Sequence, residues 1–228
     1  MTSSPYRAAS AVADRPSYEP EPTALTDRER RVLLYLAVFG LAVPVVLTVA
    51  VLLLNSADPV TIRQFWFFVH LGSGIVIVHA FAGGLTTLLA RGTSRLREAV
   101  RLASTASLAV VSWITVLSGT WFVYPGYRAT PPPGADLDAY PQEYLLRGHL
   151  WLWHSFGMEW KEFMGWLTPI LATAVAYVAY RYGGLVDRNA RIRAVTVAFF
   201  AIAFLAAILA AALGAAINTV APNDFLRN

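Results

Sequence analysis

Residues Phe65–Ala90 read FWFFVHLGSGIVIVHAFAGGLTTLLA, a run with no Asp, Glu, Lys or Arg and with two histidines, His70 and His79. A helix needs roughly 20 apolar residues to cross the hydrocarbon of a bilayer. This run is long enough, and its only ionisable groups are the two imidazoles. Working outward from it, similar apolar runs occupy about 32–54, 102–123, 155–181 and 195–217. The fourth is most apolar from Phe163 to Tyr180 and has Gly183-Gly184 just beyond it, a helix-stop signal.

The bulk composition agrees. The chain has 228 residues, of which 57% are hydrophobic and 14% charged, with a mean hydropathy of +0.52. Soluble domains run near a quarter charged. The expected fold class is therefore all-α, an integral membrane helical bundle with five transmembrane helices. Residues 1–26, rich in Pro, Ser, Ala and charge without apolar periodicity, read as a disordered cytoplasmic tail. The transmembrane domain is expected over 27–220, with an outer loop and interfacial segment at 124–154 and a short outer tail at 221–228. The first apolar run is too long and too late for a signal peptide and reads as a membrane anchor.

Arginine gives the orientation. There are seventeen Arg and a single Lys, Lys161. Arg28, Arg30 and Arg31, then Arg91, Arg95, Arg97 and Arg101, then Arg181, Arg188, Arg191 and Arg193 all fall on one side of the five runs. The other side carries only Arg63, Arg128, Arg147 and Arg227. The positive-inside rule then places the N-terminus in the cytoplasm and the C-terminus outside. The expected location is a cell membrane, with a bacterial plasma membrane favoured. The net charge of +4 is accounted for by these helix ends, so no nucleic-acid partner is expected.

The chain contains no cysteine. That excludes disulfides, Fe–S clusters, thiolate zinc sites, covalently attached haem and cysteine nucleophiles. No phosphate loop, nucleophile elbow or dinucleotide fingerprint is present. Any chemistry rests on His, Met, carboxylates or aromatics. Ionisable groups inside a membrane carry a functional hypothesis by default. Here they are His70 and His79 in the second run, and His149, His154, Glu159, Lys161 and Glu162 at the mouth of the fourth.

Depth and azimuth sort them. Counted from Arg91, His70 lies about 31 Å along a helix and His79 about 18 Å. Nine residues apart, they point to opposite faces. Counted from Arg181, Glu162, Met158 and His154 lie about 28, 35 and 40 Å along the helix. In a regular helix His154, Met158 and Lys161 share one stripe, Glu162 lies beside it, and Glu159 points away.

The favoured expectation is a haem b near the outer face. His70 would be one axial ligand and His154 the other, with Met158 as fallback and His149 in reserve. Tilt or a bend at Gly157 would absorb a depth mismatch of roughly 9 Å. The layout is broadly similar to membrane b-type cytochromes, an architectural analogy. It implies electron transfer, linked to a quinone or a partner complex. One alternative is a non-catalytic scaffold or assembly subunit, with a membrane partner or a second copy of the chain docking on the small-residue stripe Ala203, Ala207, Ala211 and Gly214. Another is a divalent-metal or proton-handling protein using His149, His154, Glu159 and Glu162 with acids of the outer loop. His79 is expected to hydrogen-bond across to the polar stripe Ser112, Thr115 and Ser118 of the third run.

Overall fold

The computed structural model describes residues 62–90 and 94–222, together with isolated positions Asp27, Arg31 and Val49. The expected N-terminal tail, the first apolar run and the last residues lie outside the described residues. What is described is predominantly helical, with no strand. Helix α1 spans Ile62–Leu89, α2 Arg95–Ser118, α3 Tyr124–Tyr127, α4 Pro141–Arg147, α5 Glu159–Arg188 and α6 Ala190–Val220. Two π-helical segments, Gly119–Val123 and Trp153–Met158, run directly into α3 and α5, and a 3-10 turn covers Leu137–Ala139.

Four stretches are long and apolar enough to cross a membrane: Ile62–Leu89, Arg95–Tyr127, Trp153–Arg188 and Ala190–Val220. They correspond to the second through fifth apolar runs. Large apolar side chains on their outer surfaces, among them Leu71, Phe163, Ile170, Tyr180 and Leu205, are exposed. Lipid tails, not water, are the solvent that matches them. The chain is a helical membrane protein.

The helices form a ring in which α1 packs on α2, α2 on α5, α5 on α6, and α6 closes on α1. Bonded caps set the boundaries. The Ser94 side chain accepts from Arg97 N at 3.2 Å to begin α2, and Asn189 accepts from Arg191 N at 3.0 Å to begin α6. Asn189 alone joins α5 to α6, so those helices are antiparallel neighbours. Pro141 opens α4, and the backbone turns at 148–150 before the next span begins. Residues 140–163 are therefore a short separate helix followed by a span.

The apolar core lies toward the end where α1 finishes and α2 starts. It contains Val76, Ile77, Ala80, Leu108, Val175 and Phe200. Phe81 stacks on Phe204 with centroids 3.8 Å apart. On α6 the buried small residues are Ala203 and Ala206, whereas Ala211 is exposed. The packing face thus keeps Ala203, Ala207 and Gly214 of the expected stripe, adds Ala206 and leaves Ala211 outside.

The same end holds an ion cluster that the reading of arginine as topology missed. Arg97 Nη2 and Arg101 Nη1 both donate to Asp187 Oδ1, at 2.8 and 2.9 Å. The Arg101 side chain is 1% exposed. It fits because Gly183 has no side chain: a Cβ there would lie 2.5 Å from Arg101 Nη2. The regular span is broken by a kink directly before Gly183-Gly184, and helical turns resume beyond it. Tyr182 departs from helical geometry (φ −128°, ψ 23°), and α5 continues to Arg188 so that Asp187 reaches the arginines.

Glycine close contacts give a direct test. A Cβ at Gly84 would fall within the Phe200 ring, whereas one at Gly74 meets nothing within 4 Å. Gly84→Ala is expected to lower stability by about 1–3 kcal/mol through overpacking. Gly74→Ala is expected to be neutral or to stabilise by roughly 0.5–1 kcal/mol. Thermal unfolding of both variants in detergent checks the pair.

Candidate functional site

The ionisable residues gather at the opposite end, around the two π-helical segments. A π-helical turn inserts one residue and rotates everything after it by about one position, and such turns concentrate at functional sites. Gly119–Val123 carries α2 on into α3, which brings Tyr124 and Tyr127 over the bundle interior. Trp153–Met158 rephases the start of α5. The stripe expected of a regular helix is consequently wrong at Glu159. Its Oε1 lies 3.7 Å from His154 Nε2 and accepts from Arg128 Nη2 at 2.6 Å.

His154 is buried, and its Nδ1 lies 2.7 Å from Tyr127 Oη. The separation between its Nε2 and Glu159 is ion-pair distance rather than a hydrogen bond. The Arg128 guanidinium also sits 4.9 Å above the centre of the Tyr124 ring, a cation–π contact. Tyr127 joins Leu145, Met158, Ile217 and Ala221 in an apolar cap over the cluster. Met158 lies in that cap.

His70 faces α2. Its Nδ1 is 2.7 Å from the carbonyl of Thr115. A carbonyl only accepts, so Nδ1 carries the proton, and Nε2 of the neutral ring is the free lone pair. The ring rests on Gly119, where a Cβ would come within 2.8 Å of Cε1. Beside it, Thr115 Oγ1 and Ser73 Oγ are 2.7 Å apart and link α2 to α1. His79 does not make the expected cross-helix bond. It is exposed, and its Nδ1 lies 3.1 Å from Ile75 O of its own helix. Ser112, Thr115 and Ser118 bond carbonyls within α2, and His70 takes the Thr115 carbonyl.

Lys161 and Glu162 follow on the same segment of α5. The Lys161 stem runs along α6 at Gly214, where a Cβ would sit 3.0 Å from Cε. Its charge is near enough to interact with both His70 and Glu162. Glu162 in turn neighbours Tyr124. Glu162 Oε1 and Tyr124 Oη are buried facing one another without a well-formed hydrogen bond, and Thr168 Oγ1 nearer the core is buried unbonded as well. Unmade bonds on buried polar atoms are uncommon and mark space for water or a ligand. The cluster as a whole carries two cations, Arg128 and Lys161, two carboxylates, Glu159 and Glu162, two imidazoles and two phenols.

His149 lies apart, exposed on the turn after α4. It lines a shallow depression with Asp138, Tyr144 and Arg147. Among the described residues, no three His, Asp or Glu side chains converge as metal ligands. No hydrogen bond or ring contact joins His70 to His154 there.

The reading from sequence missed Tyr124, Tyr127 and Arg128 as members of the site, because aromatic residues at a span end read as an interfacial belt. Tyr124 and Tyr127 are three residues apart, a same-face spacing that pointed to a common target. No protein-family model, curated protein or solved structure matches the chain.

Gly119→Ala tests the seating of His70. The added methyl is expected to displace the ring from the Thr115 carbonyl and to destabilise by about 1–3 kcal/mol. Imidazole nitrogen NMR of the labelled protein checks it: the Nδ1-protonated signal of His70 should be lost in the variant, and its persistence would contradict this geometry.

Proposed function

We propose that this is a proton-handling membrane protein whose working groups are Glu162, Tyr124, Lys161, His154 and His70. One observation carries the reading: at the mouth of a membrane span the buried Glu162 carboxylate faces the buried Tyr124 hydroxyl, and neither atom makes a well-formed hydrogen bond. A packing role alone favours polar groups that satisfy one another. Groups left with open valences beside a lysine and two imidazoles are suited to taking up and releasing a proton. Arg128 and Glu159, both partly exposed, form the rim through which water reaches them.

The roles follow from chemistry. Glu162 exchanges the proton with Tyr124 and water. Lys161 faces Glu162 as its counter-charge. His154, fixed by Tyr127, passes the proton to or from Glu159. His70 presents Nε2 as the innermost base, because Thr115 fixes its tautomer. We also propose five spans with a cytoplasmic N-terminus and an outer C-terminus in a bacterial plasma membrane, on the strength of the arginine distribution. The histidine end is then the outer end.

Infrared titration of the full chain in lipid tests the site. A carboxylic-acid band that shifts in heavy water and titrates with the external pH is expected. It should vanish in Glu162→Gln and persist in His79→Ala. No pH-dependent carboxyl band assignable to Glu162 would overturn the reading.

A second reading, haem b in an electron-transfer subunit, is favoured by a separate observation. Both imidazoles are held through Nδ1, by Thr115 and by Tyr127, which leaves each Nε2 without a hydrogen bond. Ring nitrogens anchored in this way are the usual second-sphere support of metal-ligating histidine. His70 and His154 would be the axial ligands, and haem would supply one-electron chemistry. Reduced-minus-oxidised spectra of the purified protein decide it. A Soret and α band lost in His70→Ala and kept in His79→Ala would support haem, and a featureless spectrum would exclude it.

A further inference from the structure

The Arg97–Arg101–Asp187 cluster, at the far end from the proton-handling site, is overcharged and under-bonded. A guanidinium carries five N–H donors and no acceptor. Against the donors of two guanidinium groups, the described residues set three bonds: Arg97 Nη1 to Ala90 O at 2.8 Å, and one from each arginine to Asp187 Oδ1. Arg97 Nε, Arg101 Nε and Arg101 Nη2 are buried without partners. Two cations face one carboxylate where the Arg101 side chain is 1% exposed and that of Arg97 only 11%. A third cation, Arg193, bonds the Asp187 carbonyl at 3.3 Å. Buried charge is sustained only when paired and hydrogen-bonded, so among the described residues the cluster lacks an anion that brings several acceptor oxygens.

We propose that this cluster binds the phosphate of an acidic phospholipid headgroup. Phosphate matches the fork of arginine with several oxygens and a negative charge. The opening lies at Arg97 and Asp187, the two less buried members, where Arg97 also bonds the last carbonyl of the α1 end. Exposed Leu89 and Leu185 lie at the same end and offer apolar surface to acyl chains. A zwitterionic lipid brings its own cation to an already positive rim, so an acidic headgroup is preferred. Free inorganic phosphate shares the recognising chemistry and differs only in lacking the chains.

The test uses the full chain in nanodiscs of phosphatidylcholine, with or without a minority of phosphatidylglycerol, and in phosphatidylcholine with added inorganic phosphate. Lipid retained on the protein is read by native mass spectrometry, and folding by thermal unfolding. The wild type should retain phosphatidylglycerol preferentially and unfold at a higher temperature in its presence. Arg97→Gln should bind it about ten-fold more weakly, the loss of one charge-assisted hydrogen bond, while Arg63→Gln at the opposite end retains it. If Arg97→Gln fails to fold, Arg97→Lys, which keeps the charge but loses the fork, should show weakened retention. Stabilisation by inorganic phosphate equal to that by phosphatidylglycerol would support an anion site and overturn the lipid as its source. Equal behaviour of the wild type in all three conditions would overturn the proposal.

Discussion

Hydrocarbon donates and accepts no hydrogen bonds, and the bundle is organised around that constraint. Backbone groups are satisfied within helices. Hydroxyls along the spans fold back onto their own carbonyls, as Thr105, Ser112, Thr173 and Thr196 do. The middle of the molecule adds only a few bonds between helices, such as Trp113 Nε1 to Thr173 and Thr115 Oγ1 to Ser73, and packs mostly by shape, which Phe81, Phe200 and Phe204 supply. Groups that cannot be satisfied locally are pushed to the two ends, where the charges are. The two ends solve the problem differently. One gathers arginines on a single aspartate. The other mixes acids, bases and phenols, and leaves some of them open.

The contrast between the ends has a structural cause. At the arginine end the helices approach closely because Gly183 and Gly84 remove side chains at the crossings, and long guanidinium groups fill what remains. At the histidine end both long helices loosen into π-helical turns. Each extra residue turns a side chain inward that a regular helix would send outward. Gly119 and Gly214 then give an imidazole and a lysine stem room to lie inside. The cluster is thus a product of local irregularity, held by the apolar cap of Tyr127, Leu145, Met158 and Ile217.

Much of this was legible in the sequence and some was not. Apolar length placed four of the helices, because transfer into lipid depends on composition over some twenty residues and tolerates error at the ends. The opposite faces of His70 and His79 followed from spacing within one regular helix. Glu159 could not be placed in the same way, since one inserted residue in Trp153–Met158 shifts every later azimuth and no single residue announces it. Arg101 and Asp187 were opaque for another reason. Arginines at helix ends satisfy the topology rule whether or not they also pair, and only the fold brings a residue of α5 to them. His79 looked suited to reach α2 by depth, yet it faces outward and bonds its own helix, while His70 and Ser73 take the partners on α2.

The central claim is that the open groups around Glu162 work on protons instead of only packing. Proton uptake by the folded chain in lipid after a step in external pH, read with an indicator dye, tests it most directly. The wild type is expected to take up more protons than Glu162→Gln, the variant remaining folded. Equal uptake by the two would contradict the claim.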